Sequence, residues 1–266
     1  MMKKIVAIGT SRIHWPLEYI KKYTRIDVDF LNVGYFQSAG QIYDLLFRSE
    51  EISQSEVIRP RFFRRDATPE NPFNDKVFHD SLFIKSVIEK ISSADYLYIE
   101  LSTLHEFQYE GIHIQGNPNY YRNVPFSKIW KDGYYNIYEP ELNVVRYQQS
   151  KKFINDLVQS VSKVYDSKLI FTSHIFSSDA SFGREVIHKS VKDSCDMFGL
   201  TFIDKTPLVD SFGFRVSSSG ERDIHHLSWR GTKAESILLS ELILGYKDKD
   251  IEDNIKEDDF IEGFLL

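Results

Sequence analysis

The sequence predicts an α/β protein: a three-layer α/β/α sandwich around a parallel five-stranded sheet. Three observations point to it. Apolar runs of strand length alternate with stretches of helical periodicity along most of the 266 residues. Strands separated by helices pair in parallel through right-handed crossovers. A hydrophobic content of 42% is enough to bury one sizeable core and offset the ordering entropy of the chain.

Lys4 to Gly9 reads as a short buried strand ending in a Gly-Thr-Ser turn. Ile26 to Val33 interleaves Ile26, Val28, Phe30 and Leu31 with Asp27, Asp29 and Asn32 and then meets Gly34, a second strand. Ser38 is the expected N-cap of a helix with Ile42, Leu45 and Leu46 on one face. Asp95 to Leu101 is the third strand. Gln148 to Tyr165 spaces Phe153, Leu157, Val158, Val161 and Val164 as a helix does. Lys168 to Thr172 follows as strand four. Phe182 to Phe198 is a helix with Val186, Ile187, Val191 and Cys195 inward, and Gly199 fits its C′ position. Leu200 to Ile203 is the fifth strand and Thr232 to Leu244 the final helix. In open parallel sheets, function gathers at the carboxyl ends of the strands. Those ends fall after Gly9, Gly34, Leu101, Thr172 and Ile203.

Three segments stand outside this alternation. Residues 103–147 hold ten aromatics and three of the eight prolines in 45 positions, so they read as a long loop-like insertion or lid. Arg59, Arg61, Arg64 and Arg65 crowd into seven residues. Residues 247–262 carry eight acids and three lysines, a net of −5 out of the chain's −6. The expected organisation is one domain over 1–246 with an insertion at 103–147, then an acidic tail over 247–266 that is mobile or engages a partner.

Composition excludes several classes. The folded part is close to neutral, whereas nucleic-acid binders carry a basic surplus, so nucleic acid is not an expected partner. No apolar run approaches a membrane span. The apolar stretch near the N-terminus, Ile5 to Ile8, is too short for a secretion signal. Cys195 is the sole cysteine, which fits a reducing compartment, and a cytoplasmic location is expected. There is no G-x-G-x-x-G and no Walker loop. His105 and His113, with Glu106 and Glu110, match no metal-binding helix, so no metal is expected.

The residues able to do chemistry lie at opposite ends of the chain. Ser11 stands two residues past the first strand, where it fits either a helix N-cap or a nucleophile awaiting a base. Near the other end runs Asp223-Ile-His225-His226-Leu-Ser228-Trp-Arg-Gly231. An Asp three residues before a His can fold back in one turn and fix the imidazole's tautomer. His225 is the rival base. His174, after strand four, fits a structural histidine or a substrate contact.

Gly9-Thr10-Ser11, Asn32-Val-Gly34 and Asp223-x-x-His226-Leu-Ser-x-x-Gly231 resemble blocks one, two and five of the SGNH (GDSL-like) hydrolase superfamily. With Ser173-His174 and Asp204-Lys-Thr-Pro207, they are similar to SGNH-like proteins of bacterial surface-polysaccharide biosynthesis. The resemblance implies a serine acyl hydrolase or O-acyltransferase acting on a carbohydrate ester, without metal or resident cofactor, and with acyl-coenzyme A as a candidate acyl donor. Ser11 would be the nucleophile, His226 the general base and Asp223 its orienting partner. The N–H groups of Ser11 and Gly34 would receive the oxyanion. The family's first block usually has Asp where Thr10 stands. Strand three ends Ile99-Glu-Leu-Ser102-Thr103 without the family's usual Asn, so a hydroxyl of Ser102 or Thr103 becomes the expected third donor, with Ser102 taken first. Arg12, His174, Trp130 and Tyr121 are the expected substrate contacts, since aromatic faces stack on sugars. The alternative is a catalytically degenerate carbohydrate-binding or assembly protein on the same fold.

Overall fold

The computed structural model describes residues 2–30, 38–55, 58, 62, 81–114, 130–131, 134–139, 142–148, 151–165, 168–177, 182–216 and 219–258. Its centre is a parallel sheet of β1 (Lys4–Ile8), β2 (Asp27–Phe30), β3 (Tyr96–Leu101), β9 (Lys168–Ser173) and β10 (Thr201–Ile203), in the order β10-β9-β3-β1-β2. The predicted three-layer α/β architecture is what is found. All of β3 is buried, as is β1 beyond Lys4, because parallel strands covered on both faces must be apolar throughout.

The pleat assigns the layers. Val6, Ile8, Leu97 and Ile99 face one side. There they meet α2 (Ala39–Phe47), α4 (Ser81–Ser92), α5 (Lys151–Val164) and α6 (Phe182–Phe198), with the short α3 (Ser49–Gln54) at the margin. Ile5, Ala7, Tyr96 and Tyr98 face the other. They pack on α1 (Ser11–Tyr23) and α8 (Trp229–Leu244). The period of two along a strand makes this division automatic. A short helix, α7 (Thr206–Phe212), follows β10 and buries Leu208 and Val209 in a small separate cluster with Ile175, Phe214 and Leu227. Ser38 caps α2 by accepting from the Gln41 N–H, and Gly199 follows α6 with φ +66°, both as expected.

The aromatic insertion departs from its reading as a loop. Its described residues form an antiparallel sheet, β5-β4-β8-β7-β6, from β4 (His105–Tyr109), β5 (Ile112–Ile114), β6 (Trp130–Lys131), β7 (Tyr134–Glu139) and β8 (Leu142–Gln148). Tyr, Trp, Val and Ile favour a pleated surface, so aromatic density is a strand signal here. Leu104, Ile112 and Ile114 join the main core. His113 Nδ1 binds Asp44 of α2 at 2.7 Å, while Glu106 accepts from the Ser38 hydroxyl and from Gly40 N–H at 2.9 Å. The insertion is thereby fastened to the body through buried polar groups.

Part of the acidic segment is helical, while residues 259–266 lie outside the described residues. Residues Lys249–Glu257 form helix α9, capped by Asp248, whose carboxylate accepts from the Asp250 and Ile251 N–H groups. Ile255 is fully buried against Tyr19, and Lys22 pairs with Asp258 at 2.8 Å. The charges decorate the outward face of a docked helix. Among the described residues no helix is long and apolar enough to cross a membrane. Arg59, Arg61, Arg64 and Arg65 lie outside the described residues.

Candidate active site

Gly9 lets β1 pass directly into α1. A Cβ there would lie 2.6 Å from Ile13 Cδ1 and 2.8 Å from Glu100 Cβ, so only glycine allows this close passage. Thr10 is the N-cap residue, yet its hydroxyl does not cap the helix. It donates instead to Glu100 Oε2 at 2.5 Å, and the Thr10 N–H reaches the same oxygen at 3.0 Å. Arg12 Nε binds the other oxygen, Oε1, at 2.5 Å. Ser11 is the first helical residue and stands between these two tethers. Its N–H belongs to the first turn, whose amides lack intrahelical partners and sit at the positive end of the helix.

Glu100 is fully buried near the end of the central strand β3. Burial alone would raise its pKa. Arg12 and Lys205, with the Thr10 hydroxyl, overcome that and hold it at about 2, so it is a carboxylate at any working pH. Lys205 is itself buried and pairs with Glu235 at 3.0 Å, and Glu235 accepts from Tyr98 Oη at 2.7 Å. The turn that carries Ser11 is therefore tied through Thr10 and Arg12 to a buried carboxylate.

The partner side chains come from a two-stranded ribbon, β11 (Phe214–Val216) and β12 (Arg222–Leu227). Arg215 pairs with Asp223 and Phe214 with Leu227, so residues 224–226 are bulged out between successive rungs. This bulge, not a single turn, brings Asp223 and His226 to one side. His226 Nδ1 lies 2.7 Å from Asp223 Oδ2, and its Nε2 lies 3.0 Å from Ser11 Oγ. Asp223 Oδ1 accepts the His225 N–H at 2.9 Å, so both carboxylate oxygens are engaged. Burial opposes the charge on Asp223, but the His225 amide and the His226 ring bring its pKa below the usual value. Burial lowers the His226 pKa, and Asp223 only partly offsets this. The imidazole is therefore neutral at pH 7, with Asp223 accepting from Nδ1 and Nε2 free to accept from the serine.

Ser11 Oγ bonds His226 and not His225. His225 Nδ1 contacts His174 Nε2 at 3.3 Å and accepts from Arg184 Nη2 at 3.0 Å. His174, 6% exposed, donates through Nδ1 to the Ile175 carbonyl at 3.1 Å. Burial, with Arg12 and Arg184, lowers its pKa to about 2. It works as a neutral strut beside the site. Ser102 directly follows β3 at the same sheet edge and is buried. Trp130 begins β6 in the antiparallel sheet. Gly34 and Tyr121 lie outside the described residues. Among those described, no group of three or more His, Cys, Asp or Glu side chains could hold a metal ion.

Glu100 and Arg184 escape a reading of the sequence for candidate site residues. An acid inside the apolar run Tyr-Leu-Tyr-Ile-Glu-Leu is a usable signal for the first, since a buried acid requires partners. Arg184 gives no signal, because nothing local marks a residue that reaches a segment 40 positions away.

No family model matches the chain, and no curated protein matches it by sequence. Solved structures do. An acetyl xylan esterase variant from Geobacillus stearothermophilus aligns over 92% of this chain and 96% of its own, at 12% identity and a TM-score of 0.41. An acetyl xylan esterase from the rumen bacterium Butyrivibrio proteoclasticus aligns over 91% of this chain and 64% of its own, at 8% identity and a TM-score of 0.39.

Proposed function

We propose that the chain is a serine acyl hydrolase or O-acyltransferase that acts on an O-acetyl-type ester of a carbohydrate, in the modification of a surface polysaccharide. The observation that carries the chemistry is the continuous line from Asp223 Oδ2 through His226 to Ser11 Oγ, at 2.7 and 3.0 Å. A neutral imidazole at hydrogen-bond distance from a serine is the arrangement that general-base activation requires.

In this reading Ser11 Oγ attacks the ester carbonyl carbon and its proton passes to His226 Nε2. Asp223 stabilises the imidazolium without taking the proton. The negative charge on the former carbonyl oxygen falls at the N-terminus of α1, where the Ser11 N–H meets it, joined by the Gly34 N–H and the Ser102 hydroxyl. His226 then protonates the departing sugar hydroxyl, leaving an acyl-serine. Water or an acceptor hydroxyl, deprotonated by the same imidazole, releases the acyl group. The aromatic content of the insertion supports a carbohydrate substrate, with Tyr121 and Trp130 as stacking contacts and Arg12 and His174 at the site's margin.

The test is labelling with a fluorophosphonate, which reacts with activated serines. Wild type should label and Ser11→Ala should not. Equal labelling of both, or of neither, would overturn the reading in favour of a carbohydrate-binding protein on this fold. Acetate release from acetylated oligosaccharides, with and without acetyl-coenzyme A and an acceptor, separates hydrolysis from transfer.

A further inference from the structure

Arg184 occupies the first turn of α6 and reaches across to β12, the strand that carries His226. Three features make this an unfavourable place for a cation. A positive charge at a helix N-terminus opposes the helix dipole. The side chain is partly buried, and burial weakens its hold on the proton. Both hydrogen-bond partners are neutral: Nη1 donates to the Ile224 carbonyl at 2.8 Å and Nη2 to His225 Nδ1 at 3.0 Å. Among the described residues no carboxylate pairs with Arg184. Asp223, whose charge reaches it, has both oxygens committed to His225 and His226.

A second guanidinium adds to the same field. Arg12 depresses the Arg184, His174 and His225 pKa values along with burial. Its one carboxylate, Glu100, is bound through Nε, and among the described residues Nη1 and Nη2 donate to nothing. Arg184 can only donate, so His225 Nδ1 is an acceptor and the ring proton sits on Nε2, a further donor on an exposed side chain. Every one of these costs is relieved by an anion.

We infer that the substrate carries an oxyanion group, carboxylate or phosphate, which seats on Arg184 and His225 in the field of Arg12, the residue that follows Ser11. This rests on the reading of Ser11 as the nucleophile and narrows its substrate to an anionic ester. Guanidinium groups bind carboxylate and phosphate through paired, charge-assisted hydrogen bonds. The two sources differ: an acidic sugar supplies a carboxylate, while a sugar phosphate or a phosphate-bearing acyl donor supplies the other.

The experiment compares kcat/KM for three matched acetyl esters: a neutral methyl glycoside, a uronic acid and a sugar phosphate. Wild type should prefer one of the two anionic esters by about tenfold or more, and which one identifies the source. Arg184→Met should bring that ratio close to one, and Arg184→Lys should keep part of it. Arg184 also ties down the Ile224 carbonyl, so Arg184→Met lowers turnover generally; the ratio is insensitive to that. Wild type that labels with fluorophosphonate yet shows no anionic preference, or an Arg184→Met variant that loses all three esters equally, overturns the inference. Should wild type fail to label, the nucleophile reading falls by itself. Calorimetry with inorganic phosphate and with glucuronate then decides the anion site: binding lost in Arg184→Met upholds it, and no binding to wild type overturns it.

Discussion

Arg12 Nε sits 2.5 Å from Glu100 Oε1, one residue past Ser11, while Thr10, one residue before Ser11, holds the other oxygen of the same carboxylate. A single side chain from the middle of the sheet thus fixes both neighbours of the candidate nucleophile. Glu100→Gln keeps the shape but loses the charge, and its amide nitrogen must face a donor on one side. Turnover should fall about 10²-fold, the scale of a displacement near 1 Å, with KM changed much less. Breaking the buried pair should also destabilise the fold, by roughly 3–5 kcal/mol. Steady-state kinetics and denaturant titration of the same preparation measure both.

The pH dependence follows from His226. The general base must be neutral, and burial lowers its pKa from the ordinary 6.5. Activity should therefore be lost as pH falls through a value below 6.5 and stay flat from there through pH 7. Asp223→Asn removes the one neighbour that raises this pKa and leaves the tautomer unfixed. It should lower kcat by about 10⁴-fold and move the acid limb to still lower pH. A kcat/KM profile from pH 4 to 8 reads both effects.

Glu106 predicts a stability effect of distinct sign. Burial raises its pKa from 4.5 to about 7, against the opposing pull of His113 and Ser38. The folded state then holds a proton that the unfolded chain releases, so this contribution is full below pH 4.5 and is lost as pH rises through 7. Glu106→Gln mimics the protonated form: its oxygen accepts from the Gly40 N–H and its amide donates to Ser38. The variant should match wild type near pH 4.5 and exceed it at pH 8 by a few kcal/mol, since each tenfold gain in proton affinity on folding is worth about 1.4 kcal/mol. Urea titrations at the two pH values test it.

Gly40 tests how closely the insertion is seated. A Cβ at this position would fall 2.3 Å from His113 Cδ2, and the ring is held by Asp44 and Gln108. Gly40→Ala must push the insertion away from α2, at about 1–3 kcal/mol. The melting midpoint should drop roughly 2–4 °C for each of those kcal/mol.

The sheet is legible in the sequence because its strands are short apolar runs that need no knowledge of their neighbours. Helix α1 is not, since Pro16 and a mixed Arg-Ile-His-Trp start hide its periodicity. The insertion reads as a loop because its strands are interleaved with Gly, Pro and Asn, which suggest turns, and its sheet needs pairings such as His105 with Gln148. Ser11 is legible from its place after the first strand pattern, and Asp223 and His226 from their spacing and their likeness to a family block. The bulge that joins the last two is not, because it depends on how Phe214 and Arg215 pair across the ribbon. Glu100 and Arg184 act only through long-range contacts, which local sequence does not encode.

Ser11 and His226 belong to parts of the molecule with different resistance to opening. The serine is anchored to the central strand, whose amides should exchange with solvent only on global unfolding. The histidine rides on a ribbon of short strands at the periphery, held by Arg184 and a few rungs. Mild denaturant or heat should therefore separate the two halves of the site while the sheet is still intact. Inactivation would precede unfolding, and it would be reversible.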